Sequence, residues 1–220
     1  MQPTGEVRRP GVLLAPAGDL LGQVLRLALE DSGQVDVLGV VAPVRALSEA
    51  SLRRPDVVVV TLTSRDPSEL ALVEAIRSTV SGARVLVLSK DTDADMLVSV
   101  VGRGATGCVS MDADVAEFVH AVLTVAHDEV ALSGRGLADV VDHLSRSGRQ
   151  ARRRPDEQGL SERELLVLHC LGRAATTAEI AAALGCSPAT ARAHIQGLLS
   201  KLGVHSRLEA AAYAEAQDLG

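Results

Sequence analysis

Residues 187–202 read SPATARAHIQGLLSKL, a pattern that predicts one capped, amphipathic helix in the C-terminal part of the chain. Ser187 followed by Pro188 is a typical helix start, because the hydroxyl can accept from a free backbone N–H and the first turn has no use for the donor that proline lacks. Apolar residues then recur at helical spacing and predict one buried face, formed by Ala191, Ile195, Leu198, Leu199 and Leu202.

The other faces of this helix carry Thr190, Arg192, Ala193, Gln196 and Lys201. Arginine and glutamine can each make two hydrogen bonds to a base edge, and hydroxyl and ammonium groups suit phosphates. A shorter helix is predicted over Thr177–Leu184, and Gly185 after it favours the left-handed conformation of a helix end. This order is typical of a DNA-binding helix-turn-helix, although an ordinary antiparallel helix pair has the same spacing.

Composition limits the kinds of partner. The 220 residues have a net charge of −6, so contact with a polyanion must come from local patches. Phe118 and Tyr213 are the only aromatic residues, which argues against modules that stack single-stranded bases on aromatic rings. No apolar run approaches the length of a membrane span. Cys108, Cys170 and Cys186 are too widely separated for a metal pair or a disulfide framework, as expected in a reducing cytoplasm.

Residues 1–130 alternate apolar β-rich runs with amphipathic helical stretches. The strands are predicted over Val12–Ala15, Val35–Val41, Val57–Leu62, Val85–Leu88 and Gly107–Val109. The helices are predicted over Leu20–Ser32, Val44–Arg53, Pro67–Thr79, Ala94–Arg103 and Val115–His127. Five βα units predict an α/β fold, a (βα)5 doubly wound parallel sheet whose sites lie at the carboxyl ends of the strands.

The residues at those strand ends lack the groups that ionic chemistry needs. They are Pro16, Ala17, Thr61, Ser89 and Met111. A hard cation such as Mg²⁺ needs oxygen ligands, usually carboxylates, so neither a metal nor another cofactor is expected here. Asp66 lies farther along the loop after the third strand, where we expect a solvated acid or the cap of the helix that begins at Pro67.

Two further patterns argue against an enzyme. Residues 102–107 match G-x-G-x-x-G, but a predicted helix precedes them and a strand follows, the reverse of the order in a dinucleotide site. The chain also contains no G-x-S-x-G or H-E-x-x-H motif. We therefore expect residues 102–107 to form a tight connection and the chain to have no catalytic residues.

Residues 131–159 are predicted to be a linker. They begin with glycine-containing sequence and a short amphipathic piece over 137–144, and then turn polar and basic over 145–157. Such a segment is either a soluble tether or a non-specific phosphate contact.

Residues 160–220 predict four capped helices. Capping boxes begin at Ser161, Thr176 and Ser206, each with glutamate three residues later, and Ser187-Pro188 starts the remaining helix. The first helix is expected to offer Leu165, Leu166, Leu168 and Leu171 to the core. The alanine-rich fourth helix can pack on its own domain or on a second copy. Acidic and basic residues nearly balance here, so useful affinity for a duplex requires two copies on two half-sites.

This segment resembles the LuxR/NarL-type DNA-binding domain. The resemblance lies in Leu160-Ser161-x-Arg163-Glu164, Glu179-Ile180-Ala181, Thr190-x-Arg192-x-His194 and Lys201-Leu202-Gly203-Val204-x-x-Arg207-x-Glu209-Ala210. It implies that Arg192, Ala193 and Gln196 contact bases, that Thr177, Thr190 and Lys201 approach the DNA backbone, and that the fourth helix dimerises. Arginine at 192 replaces the usual lysine, and Thr176-Thr177 replaces the commoner Ser-Asn. Ser187, at the helix start, completes the predicted DNA-binding set.

The front of the chain resembles a response-regulator receiver domain over about residues 10–130. The resemblance lies in residues 54–60 (RPDVVVV), 84–89 (RVLVLS) and the glycines of 104–107. It places Pro16 and Ala17 at the acidic pair that holds Mg²⁺, Thr61 at the phosphoacceptor aspartate, Met111 at the conserved lysine and Cys108 at the switch aromatic. Only the hydroxyl of Ser89 remains. Because acyl-phosphate formation needs a carboxylate nucleophile and a metal, the receiver is predicted to be degenerate.

These features predict a cytoplasmic transcription regulator that binds double-stranded DNA as a homodimer or as a heterodimer with a related response regulator. Within its class the chain is similar to actinobacterial developmental regulators of the WhiI type. Three alternatives stay open: a receiver still phosphorylated at Asp66 or another acid, a receiver whose uncharged pocket senses a small molecule, and an enzyme on the doubly wound sheet.

Overall fold

The N-terminal part of the computed structural model is one parallel α/β sheet; the structure describes residues 8–132, 160–204 and 206–216. The strands are β1 Gly11–Ala15, β2 Asp36–Val40, β3 Val57–Leu62, β4 Arg84–Ser89, β5 Gly107–Ser110 and β6 Ala131–Leu132. The helices are α1 Asp19–Ser32, α2 Ala46–Arg53, α3 Pro67–Thr79, α4 Ala94–Val101 and α5 Val115–Ala126. The strand order is β2-β1-β3-β4-β5-β6, with every neighbouring pair parallel.

Helices cover both faces of this sheet. Val57 and Val59 of β3 pack in the apolar layer under α1 and α5, whereas Val58 and Val60 pack in the opposite layer under α2, α3 and α4. A strand buried on both sides must be apolar at every position, which is why β3 is a continuous run of valines. The predicted doubly wound fold is confirmed.

The sheet has one strand more than the five predicted. Ala131 pairs with Gly107 and Leu132 pairs with Cys108, which adds β6 at the edge next to β5. Two residues are too few to show the alternation by which a strand is recognised in a sequence. They fall at the start of the segment assigned to the linker; the rest of that segment, with the amphipathic piece over 137–144, lies outside the described residues.

Within the described part of residues 160–216, the chain forms four helices: α6 Glu162–Gly172, α7 Thr177–Leu184, α8 Pro188–Leu202 and α9 Arg207–Ala216. Reciprocal capping boxes begin α6 at Ser161 and α7 at Thr176, and the Ser206 hydroxyl accepts from the backbone N–H of Glu209. The helical C-terminal fold is therefore confirmed. None of the helices in the described ranges is long and apolar enough to cross a membrane.

One core assignment on α6 was wrong. Leu166 is 39% exposed, whereas Val167, which we had not assigned to the core, is 1% exposed. Val167 shares its face of the helix with Leu168 and Leu171, and all three pack into the C-terminal core. The run of adjacent leucines hid this register, because residues on opposite sides of the helix were equally apolar.

Candidate nucleic-acid interface

Helix α8 is set in place by signals at both of its ends. Ser187 Oγ accepts from the Thr190 backbone N–H at 3.1 Å, and Pro188 occupies the first turn. Gly203 ends the helix in the left-handed conformation, at φ 65°, and its N–H donates to the carbonyls of Leu199 and Ser200. Gly185 ends α7 in the same way at φ 64°. The predicted helix, turn and second helix are therefore all present.

The two sides of α8 differ in burial. The five apolar residues predicted to be buried are all at most 5% exposed: Ala191, Ile195, Leu198, Leu199 and Leu202. Thr190, Ala193 and Gln196 are exposed, and Arg192 is half-buried. The helix is thus anchored along one stripe, and the side chains assigned to base contact lie outside that stripe.

The other residues expected to approach DNA lie in different surroundings. Ser187 is exposed at the start of α8, and Lys201 is exposed near its end. Lys201 Nζ donates to Glu164 Oε2 at 2.8 Å. This bond, together with the N–H of Ser161, lowers the pKa of Glu164 to about 2. Thr177 is only 4% exposed, so its hydroxyl does not face solvent in this arrangement.

Part of the exposed side of α8 lies against the receiver-like sheet domain. Arg77 Nη2 on α3 donates to Gln196 Oε1 at 3.5 Å. Behind α8, Arg207 at the start of α9 donates to the backbone carbonyl of Asp128 and, at 2.6 Å, to that of Ala175. Burial lowers the pKa of Arg207 from its usual value, although a guanidinium remains charged at neutral pH. Leu208 completes the junction by packing into the apolar layer of the sheet.

The uncharged strand ends also lie together at one edge of the sheet. Thr61 is 4% exposed, and its Oγ1 accepts from the backbone N–H of Ala17 at 2.6 Å, with Pro16 buried beside it. Ser89 is 2% exposed, and its carbonyl accepts from the N–H of Met111 at 2.9 Å. Hydrogen bonds between uncharged groups therefore join Thr61 to Ala17 and Ser89 to Met111. Among the described residues, no group of three or more acidic, histidine or cysteine side chains is arranged to hold a metal ion.

Residues 158–214 match the family profile described as bacterial regulatory proteins, luxR family. The chain is 33% identical over 195 residues to the probable transcriptional regulatory protein NarL of Mycobacterium tuberculosis, covering 87% of each protein. It is 27% identical over 212 residues to the transcriptional regulatory protein LiaR of Bacillus subtilis, covering 94% of this chain and 98% of that protein. The chain belongs to the LuxR/NarL family of transcriptional response regulators.

The fold also agrees with that of a solved response regulator. The RcsB response regulator of Salmonella typhimurium superposes with a TM-score of 0.53 at 19% identity, over 95% of this chain and 99% of that one. The LuxR/NarL architecture, a receiver-like α/β domain followed by a helix-turn-helix domain, is thus present along nearly the whole chain.

Three acidic residues that follow β3 and β4 in this LuxR/NarL chain are held in local contacts. Asp66 caps α3, and hydrogen bonds from the Ser68 hydroxyl and backbone lower the pKa of its carboxyl group. Glu69 accepts from the hydroxyl and the N–H of Thr63, at 2.7 and 2.9 Å. Arg65 forms an ion pair with Asp93. These contacts fix the loops after β3 and β4 within the protein itself.

The contacts between the domains had no signal in the sequence. Arg77 and Gln196 are 119 residues apart, and Asp128 and Arg207 are 79 residues apart. Neither pair belongs to a motif that joins its two members. The sequence placed Arg207 in the family pattern and Gln196 on the recognition helix, but nothing in it indicated that the sheet domain supplies their partners.

Proposed function

We propose that this protein is a sequence-specific DNA-binding transcription regulator that acts in the cytoplasm as a dimer and is not controlled by aspartyl phosphorylation. The observation that best supports DNA recognition is the difference in burial between the two sides of α8. Its apolar stripe is anchored in the C-terminal core, and Arg192 and Gln196, one helical turn apart, lie outside that stripe. Both side chains can make paired hydrogen bonds to base edges in the major groove.

We assign the base contacts to Arg192, Ala193 and Gln196 and the phosphate contacts to Ser187, Thr190 and Lys201. Thr177 instead positions the helix pair, since its Oγ1 lies 3.5 Å from Arg207 Nη1 and is buried. Arg77 of the receiver domain lies against the side of α8 that carries Arg192 and Gln196, so a duplex can reach this side only if α8 separates from the receiver domain.

Dimerisation follows from the charge of the C-terminal domain. With acids and bases nearly balanced, one copy has too little positive charge for tight binding, and two half-sites supply the missing affinity. Helix α9 packs against α6 and, through Leu208, against the sheet. A dimer through α9, homomeric or with a related response regulator, therefore also requires the two domains to separate.

Independence from phosphorylation is supported by the receiver edge. A phosphoaspartate needs a carboxylate nucleophile and a metal that neutralises the developing charge. Position 61 has a threonine whose hydroxyl already accepts from Ala17, and the neighbouring ends carry proline, alanine, serine and methionine. Asp66, in the loop after β3, caps α3 by accepting from the backbone N–H of Ser68.

DNA selection from a random duplex pool tests the first part of the proposal. We expect the intact chain to enrich a sequence with two half-sites, with a protein mass in the complex that corresponds to two copies. Enrichment of no sequence, together with equal affinity for all duplexes, would contradict sequence-specific binding.

Incubation with acetyl phosphate and Mg²⁺, followed by intact mass measurement, tests the second part. We expect no phosphoryl adduct and no change in affinity for the selected duplex. A stoichiometric adduct that disappears in Asp66→Asn would establish the alternative of a receiver phosphorylated at a non-standard acid. Saturable binding of a neutral molecule that is lost in Thr61→Val would favour the ligand-sensing alternative.

A further inference from the structure

A cavity of about 290 Å³ lies between the two domains. The sheet domain contributes the end of α3, the start of β4 and the loop before β5, and the C-terminal domain contributes α8 and the start of α9. The volume is near the lower end of the range for small-molecule sites, which is about 300–1,000 Å³. The cavity therefore has room for a small ligand.

The charged groups in these walls are mostly cationic. Among the described residues, four arginines line the cavity, namely Arg77, Arg84, Arg192 and Arg207, and Asp128 is the one carboxylate that lines it. That carboxylate already serves Arg84, whose Nε donates to Asp128 Oδ1 at 3.0 Å. Arg207 donates to backbone carbonyls. Asp128 therefore leaves the charges of Arg77 and Arg192 uncompensated.

Arg77 and Arg192 come from different domains. Arg77 has only a long 3.5 Å hydrogen bond to the neutral amide of Gln196, and Arg192 has no hydrogen bond or ion pair with any described residue. Both are half-buried in the wall of one cavity. Two like charges repel more strongly where solvent screening is reduced, and a bound anion would turn this repulsion into attraction.

Neutral donors complete the lining. Ser81, Thr106 and Ser206, which each carry a hydroxyl group, also line the cavity. Ser206 is also the residue that starts α9, so the positive end of that helix lies at the cavity. Guanidinium groups, hydroxyls and a helix start are the donors that recognise phosphoryl oxygens.

We propose that this interdomain cavity binds a small phosphorylated molecule, with one phosphoryl group between Arg77 and Arg192, and that the bound ligand holds α8 against the receiver domain. Binding rests on the cavity alone. Its consequence, weaker DNA binding, rests on the proposed function, in which α8 separates from the receiver domain when it binds DNA. A ligand that stabilises the closed arrangement, with α8 against the receiver domain, must therefore lower the affinity for DNA.

Calorimetric titration of the intact chain with inorganic pyrophosphate at constant ionic strength tests the site. We expect saturable binding of one pyrophosphate per chain, weakened about tenfold or more in Arg77→Gln and in Arg192→Gln. Arg45→Gln is the matched control, because Arg45 is an exposed receiver arginine paired with Glu49 and its replacement changes the net charge equally. These arginines are preferred to Arg84 and Arg207, whose hydrogen bonds support the fold.

Absence of saturable binding would overturn the proposal, as would equal affinity in Arg77→Gln and Arg45→Gln. Binding that is lost in Arg192→Gln but retained in Arg77→Gln would place the anion on the DNA-binding domain alone, which also contradicts an interdomain site.

A second titration tests the coupling to DNA. We expect pyrophosphate to lower the affinity of the wild-type chain for its selected duplex and to have no such effect in Arg77→Gln. An equal effect in both proteins would indicate direct competition with DNA and would overturn the coupling. If no specific duplex is found, the proposed function fails while the calorimetric result still decides the site.

Discussion

At the scale of single residues, the receiver edge has uncharged side chains at the positions where phosphorylation needs carboxylates. Thr61 stands at the end of β3, where a carboxylate would repel other acids and attract a cation; its hydroxyl instead accepts from Ala17 N–H. The side chain is almost fully buried, so the bond joins β3 to the loop after β1 in a site with little access for solvent.

Thr61→Val keeps the shape of the side chain and removes this hydrogen bond. We expect the free energy of unfolding to fall by about 0.5–1.5 kcal/mol, the usual net value of one hydrogen bond. The affinity for DNA should not change. Urea denaturation and DNA titration measure the two effects, with the exposed Thr79→Val as control. A large loss of DNA affinity would show that this edge controls the C-terminal domain.

Glu164 should make stability depend on pH. Hydrogen bonds from Lys201 and Ser161 lower the pKa of its carboxyl group from 4.5 to about 2 in the folded chain. The carboxylate therefore contributes stability above about pH 4.5, and this contribution is lost as the pH falls towards about 2. We expect Glu164→Gln to flatten the fall of the urea midpoint across this interval. The exposed Glu162→Gln is the control, and equal slopes in the two variants would contradict the assignment.

At the scale of helices and strands, much of the architecture could be predicted from the sequence. The bounds of β3 and α3 agree with prediction because Val57–Val60 are continuously apolar and Asp66-Pro67 is a strong helix start. Helix α8 agrees because its caps and its apolar stripe indicate the same register. Strand β6 was missed because its two residues hydrogen-bond to β5 without any pattern of their own.

Two glycines, one inside α8 and one directly after it, should have opposite effects on stability when they are replaced by alanine. Gly197 is inside the helix with nothing within 4 Å of an added Cβ, so Gly197→Ala should raise the free energy of unfolding by about 0.5–1 kcal/mol. Gly203 has φ 65°, so Gly203→Ala should lower it by about 1–2 kcal/mol. Urea denaturation of both variants checks the pair. A destabilising Gly197→Ala would mean that another group contacts the helix there.

At the scale of the whole molecule, the sequence did not indicate how the two domains contact each other. The described contacts between the domains join residues far apart in the chain. They include the hydrogen bonds of Arg77 and Arg207 and the packing of Leu208. No periodic pattern in the sequence predicts them. The positions of Arg192 and Gln196 on α8 followed from helical spacing. Their location beside a receiver-domain cavity depends on how two separately folded units dock.

Leu208 tests this docking. It is 2% exposed and packs in the apolar layer of the sheet domain, so Leu208→Ala should cost about 2–5 kcal/mol of packing in the closed arrangement. Because this cost falls on the arrangement that competes with DNA binding, we expect the affinity of the intact chain for its duplex to rise at least tenfold, a factor equal to about 1.4 kcal/mol. The exposed Leu166→Ala should have no effect. Unchanged affinity in Leu208→Ala, with helical circular dichroism preserved, would contradict the closed arrangement.

We propose that α8 recognises bases through Arg192, and a base-by-base specificity profile measures this recognition. Each base pair of the selected duplex is replaced in turn, and binding is compared for wild type, Arg192→Ala and the distant control Arg26→Ala. We predict that Arg192→Ala loses about 1–3 kcal/mol of discrimination at one position of each half-site and keeps it elsewhere. A specificity profile of Arg192→Ala that is identical to that of the wild type would contradict base recognition by Arg192.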